Sequence, residues 1–286
     1  MRYILFIIIS FCLVACEKDI TLDLDQHQEK IVVEGYIEQD LPPVVLLSHD
    51  ASLYAPVDNA ALASYYIKDA VVTMSDGQNT YPLNAVTLGG FVTYTNLFVR
   101  GAIGKRYTLS IKANGQTLTA FTSIPNVVKL DSLHFEPLND TSQFGVLRCH
   151  LSDPDTPGNY YRFFTKRLGK TKGLDTNYVI GFNTIYNDQI VNGKSFDFNI
   201  RRGSSGPEDA TEPKGERRGL YKRGDTIVLK WCSIDKAHFN FWRSLQINQS
   251  NNGNPFASPI TIQSNISGGL GVWGGYAAFY DTLIAK

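Results

Sequence analysis

The sequence predicts a mainly β protein, with an N-terminal immunoglobulin/transthyretin-like β-sandwich followed by a second β-rich domain carrying one packed α-helix. Three observations predict it. The chain holds 15 Tyr and 16 Phe among many Thr, Val and Ile, residue types that fit a pleated, half-buried surface. Short apolar stretches alternate with turn signals along most of its length. Helical spacing of apolar residues is convincing in one place, near residues 233–248.

A length of 286 residues exceeds the usual single-domain size, so two domains are expected after any processed segment. The boundaries read as 30–126 for the sandwich and 127–286 for the second domain. The composition, 43% hydrophobic and 19% charged, is that of a globular protein. Lys plus Arg and Asp plus Glu number 27 each, so no net field draws the chain to nucleic acid, and that class of partner is set aside.

The first fifteen residues are of a different kind. Met1-Arg2 precedes an apolar run from Tyr3 to Ala15, interrupted by Ser10. A bilayer span needs about 20 apolar residues, whereas one basic residue followed by a short apolar core has the form of a secretory signal. The run closes on Leu13-Val14-Ala15-Cys16, which resembles the lipobox of bacterial lipoproteins, in which a small residue precedes the cut and the cysteine thiol takes the lipid. That resemblance implies Cys16 as a lipidated first mature residue and the membrane as a partner. Each buried CH2 of the acyl chains contributes about 0.8 kcal/mol, so several chains together anchor firmly. Glu17, Lys18, Asp19, Asp23 and Asp25 then give a polar tether over residues 16–29. Acidic residues behind the lipid cysteine resemble an export signal to the outer face in some Bacteroidota, and a plain solvated linker fits equally well.

The strands follow in order. Ile31–Ile37, Val44–Ser48, Ala70–Met74, Phe91–Thr95, Tyr107–Lys112 and Thr117–Thr122 alternate or run apolar between turns. Ser75-Asp76-Gly77-Gln78 and Asn114-Gly115 mark two hairpins. Leu130–Phe135, Gly145–Leu151 and a strand beginning with Tyr160, Tyr161, Phe163 and Phe164 open the second domain. Between the last two, Asp153 and Asp155 have the spacing of an oxygen-ligand loop. Pro157 and Gly158 fall out of register for one, however, and Phe164 stands where a glutamate would be needed, so the reading is a turn. Residues 201–224 form a polar loop in which Arg201, Arg202, Arg217, Arg218, Lys222 and Arg223 read as solvated charge. After the strand Thr226–Cys232, Ser233 is placed to cap a helix whose stripe is Ile234, Ala237, Phe241 and Leu245. His238 lies off that stripe, at an exposed or edge position.

Once Cys12 and Cys16 are assigned to the leader and the lipid, Cys149 and Cys232 are the remaining thiols. A possible disulfide between them and two buried free thiols both stay open. No catalytic motif stands out. Gly203-Ser204-Ser205-Gly206 does not match a nucleophile elbow, and His27, His49, His134, His150 and His238 are too dispersed for a zinc site. The expectation is therefore no enzyme, with no catalytic residue, cofactor or metal. A hydrolase built on two carboxylates remains the alternative, as does a structural or adhesive envelope protein.

Near the C-terminus, Gly269-x-Gly271-x-x-Gly274 has the spacing of a dinucleotide-binding turn. A following strand with its acidic residue has no room, so that reading fails. The glycines read instead as positions of close backbone approach or positive φ around Trp273 and Tyr276. The segment "NPFASPITIQSNISGGLGVWGGYAAFY", residues 254–280, resembles the C-terminal signature of the Bacteroidota lipoprotein family called domain of unknown function 4249 (DUF4249). "KIVVEGYIEQDLPPVVLLS", "VTMSDGQNTYPL", "GKRYTLSIKANGQTLTAFTSIP" and "DPDTPGNYYRF" agree with it in the same order. The signature residues are Asn254, Pro255, Phe256, Asn265, Gly268, Gly269, Gly271, Gly274 and Gly275. The resemblance implies an outer-membrane lipoprotein, on the cell surface or the periplasmic face, whose genes commonly look like neighbours of TonB-dependent outer-membrane receptors, and the leading expectation is an accessory that partners such a barrel in nutrient uptake. It carries over no catalytic residues.

Overall fold

The computed structural model describes residues 29–50, 64–88, 91–168, 177–181, 183–203, 215, 218–251, 258 and 260–286. The expected signal peptide, Cys16, the tether up to residue 28 and the signature residues Asn254, Pro255 and Phe256 lie outside them.

The first unit is a β-sandwich. Its strands are β1 (Ile31–Glu38), β2 (Val44–His49), β3 (Val71–Ser75), β4 (Thr80–Leu88), β5 (Phe91–Thr95), β6 (Arg106–Ala113) and β7 (Gln116–Ser123). β1, β2 and β5 are neighbours in one layer, and β3, β6 and β7 form the other. β4 joins the layers, because Thr80–Leu83 pair with β3 whereas Asn84–Leu88 pair with β5. The alternation in β6 sends Tyr107, Leu109 and Ile111 into the core, beside Met74 of the same layer and in one cluster with Val33 and Leu47 of the other. The Asn114-Gly115 hairpin has φ of 50° and 71°, the two positive values its tight turn requires.

The second unit contains β8 (Ser132–Pro137), β9 (Phe144–Ser152), β10 (Tyr160–Leu168), β11 (Ile185–Asn187), β12 (Ser195–Ile200), β13 (Tyr221–Lys222), β14 (Thr226–Ile234), α1 (Lys236–Asn251) and β15 (Leu270–Ile284). A small sheet has β9 at its centre, with β8 on one side and β12 and β13 on the other. It packs on β10 and β14 through Leu147, Leu151, Leu229 and an aromatic stack. In that stack Trp231 meets Tyr161 at 5.0 Å and Phe198 at 5.4 Å between ring centroids.

The last strand modifies the two-domain expectation. β15 pairs antiparallel with β14 and parallel with β1, so one sheet runs without a break in the order β11-β10-β14-β15-β1-β2-β5-β4-β3-β6-β7. The C-terminal strand thus belongs to both units. Trp273 and Ala277 complete the first core, together with Ile266, while Phe279 and Leu283 pack into the second. Trp273 is fully buried, and its indole N–H donates to the Tyr107 carbonyl at 3.2 Å. Truncating an indole so placed costs about 3–5 kcal/mol.

The glycine signature builds this junction. Gly271 has a φ of 107°, and a Cβ there would lie 1.9 Å from the Val33 carbonyl oxygen, so no other residue fits. Gly268 and Gly269 approach Thr117 and Leu118, and Gly275 approaches Ser123. Asn265 reads the strand edge-on: its side chain accepts from the Trp273 N–H at 2.9 Å and donates to the Trp273 carbonyl at 2.8 Å.

Candidate functional site

The sheet face turned away from the two cores is covered by α1. Asp235 fixes the helix start, accepting the His238 N–H at 2.8 Å through one oxygen, and the Thr122 hydroxyl and the Ser123 N–H through the other. The expected Ser233 cap is therefore displaced by two residues. The Ser233 hydroxyl oxygen accepts the Val128 N–H instead, at 3.1 Å.

The expected apolar stripe is also rotated. His238, Phe239 and Ser244 are the buried helix residues, while Ala237, Phe241 and Leu245 are half-buried. Gly274 explains the rotation, since a Cβ at that position would stand 2.2 Å from His238 Nδ1. With no side chain there, the imidazole drops into the gap and meets Tyr276 edge-on at 4.6 Å. His238 is thus buried rather than exposed. Burial, reinforced by the Arg162 charge, holds its pKa down at about 3, so the ring is neutral.

Two cations lie on this face of the sheet, both against Tyr276. Lys230 on β14 pairs with Glu38 of β1, and the other oxygen of Glu38 accepts the Tyr280 hydroxyl. Glu38 is 1% exposed. The rings of Tyr276, Phe164, Tyr178 and Tyr280 surround the ammonium at 5.3–5.8 Å. Register places each partner, because Glu38 aligns with Tyr276, and Lys230 with Tyr280 on one side and Phe164 on the other.

Arg162 on β10 is handled differently. Its guanidinium donates through Nη1 to the Tyr276 hydroxyl at 2.5 Å. It lies 3.4 Å from the centre of the Trp242 ring and 4.6 Å from that of Phe164. No carboxylate pairs with it among the described residues, and its Nε has no partner. Burial depresses its pKa, and the Tyr276 contact, with weaker attractions from Cys232 and Glu34, offsets part of that effect. Trp242 carries a second orphan, a buried indole N–H with no acceptor.

Arg162 and Trp242 line a cleft of about 740 Å³ between α1 and the β10–β11 edge. Ile180, Thr184, Ile185, Leu245 and Gln246 form its walls, and among the described residues none that lines it is acidic. Arg201 and Arg218 are exposed on the lining and Arg202 is buried in it. Part of the polar loop read as solvated charge therefore borders the cleft; positions 204–214 and 216–217 of that loop lie outside the described residues.

The other candidate residues have structural surroundings. Cys149 and Cys232 are free and buried, the second of the two alternatives left open by the sequence. Cys149 faces the second core and Cys232 faces α1, and burial pushes both thiols up to about 12. Asp153 accepts the Tyr161 hydroxyl at 2.6 Å, and Asp155 accepts the Asn192 amide at 3.4 Å. His150 contacts Asp197 at 2.7 Å on the outer face of the small sheet, where His134 is exposed on the neighbouring strand. His49 sits near Glu29 at 3.6 Å.

Sequence reasoning missed Arg162, Trp242, Glu38 and Lys230. A signal existed for Arg162, a charge set between pairs of aromatic residues in Tyr160–Phe164. The partnership of Glu38 with Lys230 joins residues 192 positions apart, and no local pattern announces it.

Fold and cleft together define a β-sandwich protein with a helix-roofed, arginine-bearing cleft. The chain belongs to the family described as Domain of unknown function (DUF4249), whose model matches residues 17–280. No curated protein matches it. Among solved structures it is similar to a two fibronectin type-III domain segment from chicken tenascin, at 10% identity and a TM-score of 0.23, over 90% of this chain and 100% of that one. A score that low carries no argument, and the sandwich stands on the strand topology above.

Proposed function

We propose that the protein is an outer-membrane lipoprotein, anchored through Cys16, that acts without catalysis as an accessory of a TonB-dependent transporter in nutrient uptake. The observation that carries the reading is the Leu13-Val14-Ala15-Cys16 sequence behind a short apolar run. The family match begins at residue 17, directly after that cysteine. No helix among the described residues is long and apolar enough to cross a membrane.

A protein partner is supported by one end of the sandwich. Leu41, Leu97, Phe98 and Ile103 are exposed there, Phe98 at 97%. Their two loops are tied by hydrogen bonds from the Asp40 N–H to the Gly101 carbonyl at 2.9 Å and from the Gly101 N–H to the Leu41 carbonyl at 3.1 Å. Large apolar side chains held out in this way mark interaction sites.

The test is purification of the tagged protein from its native outer membrane in mild detergent, with mass spectrometry of what accompanies it. A stoichiometric TonB-dependent barrel is expected, and it is expected to be lost in a Phe98→Ser, Leu97→Ser variant. Recovery of the protein alone from a membrane containing the barrel overturns the partnership. A Cys16→Ser variant that still fractionates with the outer membrane overturns the anchor.

A further inference from the structure

We infer that the cleft beneath α1 binds a small organic anion, whose oxyanion head is held by Arg162 and Trp242 and whose body rests against the Ile185 and Leu245 walls. This deepens the accessory reading by naming the ligand class.

Burial of the Arg162 guanidinium is costly. A guanidinium taken out of water loses several kcal/mol of hydration, which an ion pair recovers only with good geometry and satisfied donors. Lys230, one strand away, has its carboxylate. Arg162 is 2% exposed and has a tyrosine hydroxyl and two aromatic faces in contact; the nearest acid acting on it is Glu34 of β1, which is exposed to solvent and makes no ion pair or hydrogen bond with it.

The second step is the pair of orphans. Arg162 Nε and Trp242 Nε1 are both buried N–H groups without acceptors, and both belong to residues lining the same cleft. A buried donor left unpaired costs about 1–3 kcal/mol. Two such donors beside a positive charge are completed by one group with several acceptor oxygens, which is the description of a carboxylate, sulfate or phosphate. A neutral hydroxyl satisfies a donor but leaves the charge.

The third step is size and lining. A cleft of about 740 Å³ is larger than an inorganic anion requires and falls within the range of small-molecule sites. Ile180, Ile185 and Leu245 supply apolar contact, while Thr184 and Gln246 supply polar contact along the same walls. The Gln246 amide already donates to the Asn183 side chain at 2.6 Å, which holds it in one orientation. Arg202 and Arg218 engage other groups and Arg201 is exposed to solvent, where its charge is screened, so the desolvated charge that decides the specificity sits on Arg162.

The experiment is calorimetric titration of the full-length protein in mild detergent with phenyl phosphate, phenylacetate and glucuronate, using phenol and glucose as neutral counterparts. At least one anion is expected to bind with a sub-millimolar Kd, and its neutral counterpart at least about tenfold more weakly. Phosphate or sulfate selectivity against carboxylate distinguishes the head groups. Arg162→Met is expected to abolish anion binding. Because that variant alters a buried position, Trp242→Phe and Ser250→Trp accompany it. The first removes one donor and keeps the ring stack, and the second narrows an exposed part of the lining; each is expected to weaken binding several-fold with an unchanged circular dichroism spectrum. Neutral compounds binding as well as the anions, a folded Arg162→Met protein binding like the parent, or no binding by any anion at 10 millimolar (about the weakest range of specific sites) would overturn the inference. Barrel co-purification is read separately, so failure here leaves the transporter partnership standing, and loss of the barrel leaves the anion site standing.

Discussion

Lys230 and Arg162 lie on adjacent strands, on one face of the sheet and both in contact with Tyr276, yet the fold treats them in opposite ways. Lys230 is neutralised by Glu38 from β1, two strands away on the same face, and enclosed by rings. Arg162 is enclosed by rings and left without an acid. The difference separates two uses of a buried charge. One closes a contact between β1, β14 and β15 and so serves the architecture. The other stays unsatisfied where a cleft reaches it, which is the condition expected of a charge held for something that arrives later.

The comparison can be broken most forcefully at Glu38. Glu38→Ala leaves Lys230 buried without its partner and is expected to destabilise the protein by about 3–5 kcal/mol in urea unfolding. A paired Glu38→Leu, Lys230→Met protein is expected to recover most of that loss, because apolar replacement of a buried pair is often close to neutral. If the double variant is as unstable as the single one, the pair does more than close the junction.

Arg162→Met is expected to go the other way. Removing a buried charge that has no acid should leave stability within about 1 kcal/mol of the parent or raise it. A loss as large as that of Glu38→Ala would mean that Arg162 is structural and would erase the contrast.

The smaller effect is on pH dependence. His238 has a folded value of about 3, below its ordinary value of about 6.5 when unfolded. Between those values the unfolded chain takes up a proton that the folded chain refuses, so stability is full above pH 6.5 and falls as the pH drops toward 3. Arg162 contributes to the depression, so Arg162→Met is expected to raise the folded value and make the acid loss shallower. The slope of stability against pH between 6.5 and 4, measured for parent and variant, checks this. Equal slopes would mean that burial alone sets the histidine.

The smallest expected effect concerns Asp76, at the β3–β4 turn on the other side of the molecule. Hydrogen bonds from the Asn79 and Gln78 N–H groups hold its carboxyl at about 2. Its contribution is present above pH 3.8, the ordinary value, and is lost as the pH falls through 2. Asp76→Asn is expected to leave binding and the Arg162 effects untouched, which serves as a control.

What was legible in the sequence follows the range of the interactions involved. The strands were readable because alternation is a property of neighbours, and the Asn114-Gly115 turn because its positive φ values restrict the residues allowed there. The helix was found near its true position but on the wrong face. His238 became an inside residue through the absence of side chains at Gly274, 36 positions away in the numbering. The glycine cluster read correctly as close approach, but its partners Val33 and Leu118 are supplied by the first unit. The cleft was invisible for the same reason. Arg162 and Trp242 meet only after β10 and α1 have packed, and a count of charges in the 201–224 loop gives no hint of it.

The parallel pairing of β1 with β15 sets an order on the birth of the molecule. Gly35 must find Trp273, so the first unit is translated in full long before the residues that seal it exist. Contacts of such separation are slow to form. The emerging sandwich waits with an open edge at Val33 and Gly35, and the final stretch of the chain acts as the latch that ends the period in which it can still be threaded, held by a chaperone or lost to aggregation.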